Sequence, residues 1–324
     1  MKVADMHCDT FFLLGRQRKA GEEAALWKNG LHMDLMKMRQ GEYLLQNFAL
    51  FLWQQETEDL YEECLAGCRL FAEEMEANRE LISQVRTFSE IEENQRQGKI
   101  SALLTVEEGE VCQGEQKKLE QLYDLGVRMM TLVWNYDNSL TTSAAGLQPP
   151  KPRRYQGDRP GLTETGVEFV ERMEEMGMIP DVSHMSDDGI RDMLKIAKRP
   201  FVASHSNVRA LCAHKRNLTD EFLKAMGERG CVIGANFYSG FLDIDAELSK
   251  TARIADHILY MVDRAGIENV GLGSDFDGIE CGLEMKNCGG IQSLAEELRK
   301  RGMSAAQIER IFYKNVLRLY KEWL

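Results

Sequence analysis

Six residues that can bind a metal ion or move a proton stand where predicted strands of this 324-residue chain end. Two follow the first apolar segment, and one each follows the third, fifth, sixth and eighth: His7, Asp9, Glu107, His184, His205 and Asp275. In a (β/α)8 barrel the carboxyl ends of all strands meet at one face, where active sites are built. We therefore expect these side chains to form one site.

The spacing within this set suits the binding of divalent metal ions. His7 and Asp9 are two residues apart, so both side chains of an extended segment point to the same side and can hold one ion. His184 and His205 are separated by the length of one helix–strand unit and can hold a second ion, with Glu107 as a bridge. Imidazole and carboxylate suit zinc best, although manganese, iron and cobalt also accept them.

Each of these residues has a plainer interpretation when it is taken alone. An isolated His-x-Asp is most often a surface pair, and a histidine at a strand end is most often a satisfied hydrogen-bonding group. Asp277-Gly278 can be an ordinary turn. The prediction of a metal site depends on the coincidence of ligand-type residues at several strand ends.

Two residues are candidates for direct action on a substrate. Asp275 follows the glycine-rich segment Gly271–Ser274, and an aspartate beside a metal-bound water can accept its proton. Arg216 lies in the basic run His214–Asn217, ahead of a helix predicted to start near Leu218. Its planar guanidinium can bind a substrate carboxylate, and a solvated loop is the alternative.

Short apolar segments alternate with helical patterns along the chain. The predicted strands are Val3–His7, Asn47–Leu52, Ser101–Val106, Met129–Trp134, Ile179–Val182, Phe201–Ser204, Val232–Phe237 and Val270–Gly273. Apolar residues between Ile254 and Ala265 repeat on one helical face, Thr165 with Glu168 suggests a capping box, and Ser304 can cap a last helix.

Eight strands, each followed by a helix, predict an α/β fold, a (β/α)8 barrel of the TIM type with residues 1–324 as a single domain. An open, doubly wound sheet is the alternative. Two Rossmann halves would require a glycine-rich turn after the first strand, and here no glycine follows until Gly15.

Composition restricts the class of partner. The net charge of −12 argues against nucleic acid and anionic membranes, and no apolar run is long enough for a transmembrane helix. The first residues lack a signal-peptide core, and the eight cysteines show no C-x-x-C spacing, so we expect a cytoplasmic protein with reduced thiols. The proline-rich segment Gln148–Gly161 is expected to be a long loop.

Other catalytic patterns are missing from the sequence. Neither G-x-S-x-G nor the P-loop pattern occurs, which argues against a serine hydrolase elbow and a nucleotide phosphate loop. Some two-metal barrels use a carboxylated lysine after the fourth strand, but Val133–Asn138 contains no lysine. This favours Glu107 as the bridging ligand.

Seven short segments together resemble the membrane (renal) dipeptidase family, peptidase family M19, among the amidohydrolase-like barrels. They extend over almost the whole chain: Asp5–Thr10, Val106–Gly109, Asp181–His184, Ala203–Ser206, Arg216–Asn217, Asn236–Tyr238 and Gly273–Gly278. Each segment is short, but their combination is highly specific.

The resemblance implies a site with two Zn2+ ions. His7, Asp9 and Glu107 would bind one ion, and Glu107, His184 and His205 the other. Asp275 would handle the proton of a bridging hydroxide, and Arg216 would hold the substrate carboxylate while the negative field of the site receives the amine. The implied reaction is hydrolysis of small dipeptides, often with a D-residue at the C-terminal position, and the implied assembly is a homodimer.

Two positions qualify this resemblance. Mammalian members carry a substrate-contacting histidine after the fourth strand, where this chain has Trp134, whose indole is a hydrogen-bond donor only. Glu108 is a minor rival to Glu107 as the bridging ligand.

A related amidohydrolase acting on another amide or a lactam is the first alternative function, and an inactive binding protein with the same fold is the second.

Overall fold

The computed structural model describes residues 1–57, 59–147 and 157–324 of the chain. Its strands are β1 Val3–Asp5, β2 Tyr43–Phe51, β3 Ile82–Gln84, β4 Ile100–Glu107, β5 Val127–Thr131, β6 Ile179–Asp181, β7 Val202–Ala203, β8 Val232–Ala235, β9 Leu248–Ser249, β10 Val270–Leu272 and β11 Gly282–Leu283. Most of the predicted segment Gln148–Gly161 lies outside the described residues.

Eight of the described strands close into a parallel barrel. They pair in the order β1, β2, β4, β5, β6, β7, β8 and β10, and β10 pairs with β1 again. The longest pairing runs from Leu45 opposite Ser101 to Phe51 opposite Glu107. The predicted TIM-type barrel is therefore confirmed, and all eight predicted segments overlap its strands.

Three strands were not predicted from the sequence. β3 pairs with the first residues of β4, outside the ring, and β9 with β11 forms a separate two-stranded sheet. The strands of that small sheet are two residues long, too short for an alternation of apolar and polar side chains to be recognised.

Helices follow the barrel strands and cover them. They are α1 Thr10–Lys19, α2 Leu35–Gln40, α3 Leu60–Ala77, α4 Phe88–Gln97, α5 Gln116–Asp124, α6 Glu164–Met176, α7 Asp187–Ile196, α8 Asp220–Glu228, α9 Ser239–Leu242, α10 Thr251–Ala265, α11 Gln292–Lys300, α12 Ala305–Glu309 and α13 Asn315–Trp323. A π-helical turn, Arg310–Lys314, joins α12 to α13.

The helix starts test the capping predictions. Ser304 caps α12, and its hydroxyl accepts from Gln307 N as a capping box requires. The capping box at Thr165 is wrong, because α6 begins two residues earlier and Thr163 Oγ1 accepts from Gly166 N at 2.9 Å. α8 begins at Asp220, two residues after the predicted start near Leu218, and its cap is Thr219.

The last helix covers the amino end of the barrel. Leu319, Tyr320 and Trp323 of α13 pack in one buried cluster with residues near the amino ends of strands, among them Ile179 and Val232. Tyr320 Oη also accepts from Asn47 Nδ2 at 2.6 Å. The carboxyl end of the barrel is thus left for the polar residues that follow the strands.

Two further features bear on the sequence predictions. All eight cysteines lie in the described ranges, and their thiols are free. Within those ranges, no helix combines the length and apolar character that a membrane span requires.

Candidate active site

The six predicted residues gather at the carboxyl mouth of the barrel. Glu107 is the last residue of β4, while the others follow strand ends at β1, β6, β7 and β10: His7, Asp9, His184, His205 and Asp275. None of the six is more than 9% exposed. His184 and Asp275 have φ of 68° and 63°, an uncommon backbone conformation for residues other than glycine, where the chain turns out of its strand.

The carboxylate of Glu107 lies between three imidazoles. Its Oε1 is 3.0 Å from His184 Nε2 and 3.4 Å from His205 Nε2, and its Oε2 is 3.4 Å from His7 Nε2. The two oxygens therefore face different ligand-type groups, which is the arrangement that a bridging carboxylate needs.

Further carboxylates surround His7. Its Nε2 is 3.3 Å from Asp9 Oδ2 and 3.8 Å from Asp275 Oδ1. Two groups of three residues have ligand atoms close enough to share an ion: His7 with Glu107 and His205, and His7 with Asp9 and Asp275. Asp275 is thus close enough either to bind an ion directly or to accept a proton from a water beside it.

Unpaired atoms in this cluster fit metal ions. His7 Nε2 and Asp9 Oδ1 are buried and have no hydrogen-bond partner in the part of the chain that the structure describes. His184 Nε2 and His205 Nε2 are 3.0 Å apart, although a neutral imidazole has one donor and one acceptor nitrogen. Cations placed between these atoms would pair with nitrogen and oxygen lone pairs that burial otherwise leaves unsatisfied.

The outer nitrogens of two imidazoles are fixed by polar neighbours. His184 Nδ1 is 3.0 Å from Asn135 Oδ1, and His205 Nδ1 is 2.8 Å from Ser204 Oγ. Metal-ligating histidines usually have such a partner on the second nitrogen, which fixes the tautomer and the ring orientation. Both Nε2 atoms are therefore directed at Glu107.

Two fully buried aspartates hold the strand ends in register. Asp5 accepts from Ser274 N at 2.9 Å and from Ser274 Oγ at 2.5 Å, next to Asp275 in sequence. Asp181 accepts from Ser204 N at 2.9 Å and from Ser204 Oγ at 2.5 Å, next to His205. Sequence reasoning missed these roles, although each aspartate precedes a predicted ligand by two or three positions.

Burial and mutual charge shift the pKa values in the cluster. Burial is the main cause that lowers the pKa of His184 to about 4 and that of His205 well below its ordinary value. Burial opposes the charged form of Glu107, but the imidazoles, His7 first, hold its pKa well below the usual range. Burial raises the pKa of Asp9 to about 6. His184 and His205 are thus neutral, which is the form that binds metals.

Arg216 reaches the same mouth from the loop after β7. It is 6% exposed, and its Nη2 donates to His205 O at 3.2 Å. Its Nε is buried without a hydrogen-bond partner among the described residues. Burial lowers its pKa to about 10, although Asp275 and Glu107 act in the opposite direction. The solvated-loop interpretation of Arg216 is therefore wrong, since the guanidinium is buried beside the cluster.

Glu108 points away from the imidazoles. Its carboxylate accepts from Gln54 Nε2 at 2.9 Å, from Asn138 Nδ2 at 2.7 Å and from Glu110 N at 2.9 Å. Burial raises its pKa to about 7. Glu108 therefore supports the loop after β4, and Glu107 is the carboxylate that faces the cluster.

A cavity of about 360 Å³ opens above these residues. Asp9, Glu107, His184 and Asp275 form part of its lining. Aromatic and apolar side chains form much of the remaining wall: Phe12, Leu13, Phe51, Trp53, Trp134, Tyr238, Phe241 and Ile279. A polar floor under an apolar wall is typical of small-molecule sites.

A parallel barrel with imidazoles and carboxylates buried together at its carboxyl mouth defines the class of metal-dependent hydrolases with an amidohydrolase-like barrel. The sequence model described as "Membrane dipeptidase (Peptidase family M19)" matches residues 1–323. The chain belongs to this family and is a metallo-dipeptidase of the M19 type.

Individual relatives agree with this assignment. An uncharacterized dipeptidase of Schizosaccharomyces pombe is 32% identical over 99% of this chain and 80% of its own length. The structure of dipeptidase AC, an M19 metallopeptidase, superimposes with a TM-score of 0.90 at 25% identity, over 100% of this chain and 99% of that one.

The fold also matches a metallopeptidase from Rhodobacter sphaeroides that was crystallised with a phosphinate mimic of the dipeptide L-Ala-D-Ala. That structure has a TM-score of 0.90 at 24% identity and covers 100% of this chain and 99% of its own.

Proposed function

We propose that this metallo-dipeptidase holds two Zn2+ ions and hydrolyses dipeptides, including those with a C-terminal D-residue. The carrying observation is the buried cluster in which the carboxylate of Glu107 lies 3.0–3.4 Å from the Nε2 atoms of three imidazoles. A phosphinate mimic of L-Ala-D-Ala bound to the similar barrel from Rhodobacter sphaeroides supports the choice of substrate.

The ligands divide between two positions that share Glu107. His7 and Asp9 would hold one ion with Glu107, and His184 and His205 would hold the other. When bound, the ions supply Lewis acidity and lower the pKa of a coordinated water toward ~7. Manganese, iron or cobalt would fit the same donors.

Asp275 is the proposed proton carrier. Its Oδ1 lies 3.8 Å from His7 Nε2, and its Oδ2 accepts from Asn236 Nδ2 at 2.8 Å. One carboxylate oxygen is thereby fixed, while the other faces the cluster and the cavity. Asp275 would take a proton from the attacking water and return it to the leaving amine.

Opposite charges at the two ends would select dipeptides. The guanidinium of Arg216 would bind the substrate carboxylate, because its Nε, which has no hydrogen-bond partner among the described residues, can form a charge-assisted hydrogen bond. Asp9 and Glu107 would be occupied by the ions, so the carboxylate of Asp275 in the cavity lining is the group left to favour a free amine. A longer peptide would separate these two charges too far for both anchors.

Metal content and hydrolysis measured on one preparation test the proposal. We expect about two equivalents of zinc per chain by emission spectrometry, and hydrolysis of L,L- and L,D-dipeptides that stops when the ions are removed. Hydrolysis of only non-peptide amides or lactams would contradict the substrate assignment. Absence of bound metal, with no turnover after zinc addition, would contradict the enzyme itself.

A further inference from the structure

Four aromatic side chains, called the aromatic wall below, line the active-site cavity, and three of them pack against one another. Phe12, Phe51, Trp53 and Trp134 all line the cavity and are partly exposed there. The ring centroids of Phe12 and Phe51 are 5.0 Å apart, and those of Phe51 and Trp134 are 4.8 Å apart. Large apolar rings left partly exposed in a concave site are a typical sign of ligand binding.

The part of the aromatic wall that follows β2 lies across the barrel from Arg216, whereas Trp134 follows β5, two strands from β7. Phe51 ends β2, and Arg216 follows β7, four strands away around a ring of eight. The imidazole–carboxylate cluster lies between them, since Trp134 is 6.1 Å from the ring of His184 and Arg216 donates to His205 O. The imidazole–carboxylate cluster therefore has the cation Arg216 on one side and the aromatic wall of the cavity on another.

We propose that the aromatic wall is a subsite that selects dipeptides with a large apolar or aromatic N-terminal side chain. This inference rests on the proposed function, in which Arg216 holds the carboxylate of the C-terminal residue. With the scissile amide over the cluster, the N-terminal residue must extend toward the far side. Trp134 is the main determinant, because it contacts both Phe51 and His184.

The nearby cation Arg16 would favour a different substrate, an acidic side chain. Arg16 also lines the cavity, but its side chain is 51% exposed and already pairs with Glu56 at 3.6 Å. An exposed, paired cation contributes little selectivity in water. Burying one large apolar side chain against the wall is equivalent to roughly tenfold or more in affinity.

A series of Xaa-Ala dipeptides tests the subsite on the zinc-loaded enzyme. We expect kcat/KM for Phe-Ala and Leu-Ala to exceed that for Gly-Ala by about tenfold or more. Trp134→Ala should reduce the Phe-Ala to Gly-Ala ratio at least fivefold, and Trp134→Phe should restore most of it. Trp27→Ala removes an indole that is 45% exposed outside the cavity and should leave the ratio unchanged.

Several results would overturn the subsite. These are equal kcat/KM for Gly-Ala and Phe-Ala, a preference for Glu-Ala, and an equal loss on all substrates in a folded Trp134→Ala protein. Calorimetric titration of the same dipeptides separates this proposal from the proposed function. Tighter binding of Phe-Ala than Gly-Ala without turnover would support the subsite and contradict the dipeptidase, whereas turnover without selectivity would contradict the subsite alone.

Discussion

Asp275 can act as a proton acceptor or as a metal ligand, and one substitution distinguishes these two roles. It is near enough to His7 and Asp9 to share an ion, yet one of its oxygens is already held by Asn236. Asp275→Asn keeps the shape and the hydrogen bond but removes the proton acceptor. We expect kcat to fall by about 10²–10⁴-fold, while zinc content by emission spectrometry stays near that of the unaltered enzyme. Loss of zinc in a folded variant would make Asp275 a ligand instead.

Arg216 gives a second prediction at the scale of one residue. Arg216→Ala should mainly raise KM for dipeptides with a free carboxylate, by about 10–100-fold, because a hydrogen bond to a charged group is lost. Arg216→Lys is the matched variant, which keeps the charge without the planar fork. Steady-state kinetics on C-terminally amidated dipeptides provide the control. An equal effect on amidated and free substrates would contradict the carboxylate assignment.

Gly278 is a residue whose importance the sequence did not reveal. A Cβ atom at this position would lie 2.1 Å from Asp9 Oδ2 and 2.5 Å from Asp275 Oδ1. Gly278→Ala should therefore displace both carboxylates and lower zinc affinity and kcat/KM by at least tenfold. Gly30→Ala is the control, since its Cβ would meet no atom of the described residues within 4 Å. Unchanged metal affinity in Gly278→Ala would contradict the prediction that displacing the carboxylates of Asp9 and Asp275 weakens zinc binding.

At the scale of elements, the site depends on hydrogen bonds between neighbouring strands. Asp5 links β1 to the segment after β10, and Asp181 links β6 to the segment after β7. In both pairs the serine immediately precedes a site residue, Asp275 or His205. The ligands are thus placed by the register of adjacent strands as well as by their own strand ends.

Removal of one such link should affect metal binding before stability. Ser204→Ala deletes the hydroxyl that contacts both Asp181 and His205 Nδ1, so we expect zinc affinity to fall by about 10–100-fold. Competition with a chelator measures the affinity, and a thermal melt monitors the fold. Ser89→Ala, at an exposed position in α4, is the matched control. Equal zinc affinity in both variants would contradict a positioning role for Ser204.

These hydrogen bonds also explain which residues of the site could not be predicted from the sequence. Site residues at strand ends could be predicted, because apolar segments mark the strands and a barrel brings their carboxyl ends together. The roles of Asp5 and Asp181 could not, because they depend on which residue lies opposite on the next strand. The spacing of Thr165 and Glu168 suggested that Thr165 is the cap. The cap is instead Thr163, and α6 begins at Glu164.

At the scale of the whole molecule, the barrel concentrates unfavourable charge in one place. Asp9, Glu107 and Asp275 are buried together, and burial alone opposes ionisation of each carboxylate. Burial lowers the pKa of His7, but Glu107 and Asp9 raise it well above its ordinary value. His7 and Arg216 therefore offset part of this charge, while the other two imidazoles of the cluster are neutral. Divalent ions at this position would therefore stabilise the folded chain as well as supply its chemistry.

Removal of the metal should accordingly lower thermal stability. An ion present at a thousand times its Kd adds about 4 kcal/mol to the free energy of unfolding, which for a chain of this size corresponds to a rise of ~5 °C or more in Tm. We expect calorimetry to show a Tm that is lower by at least ~5 °C after chelation. The Tm should recover when zinc is added. His184→Ala should show a smaller change, because it lacks one ligand. An identical Tm with and without zinc in the unaltered chain would mean that its buried carboxylates are balanced without the ions.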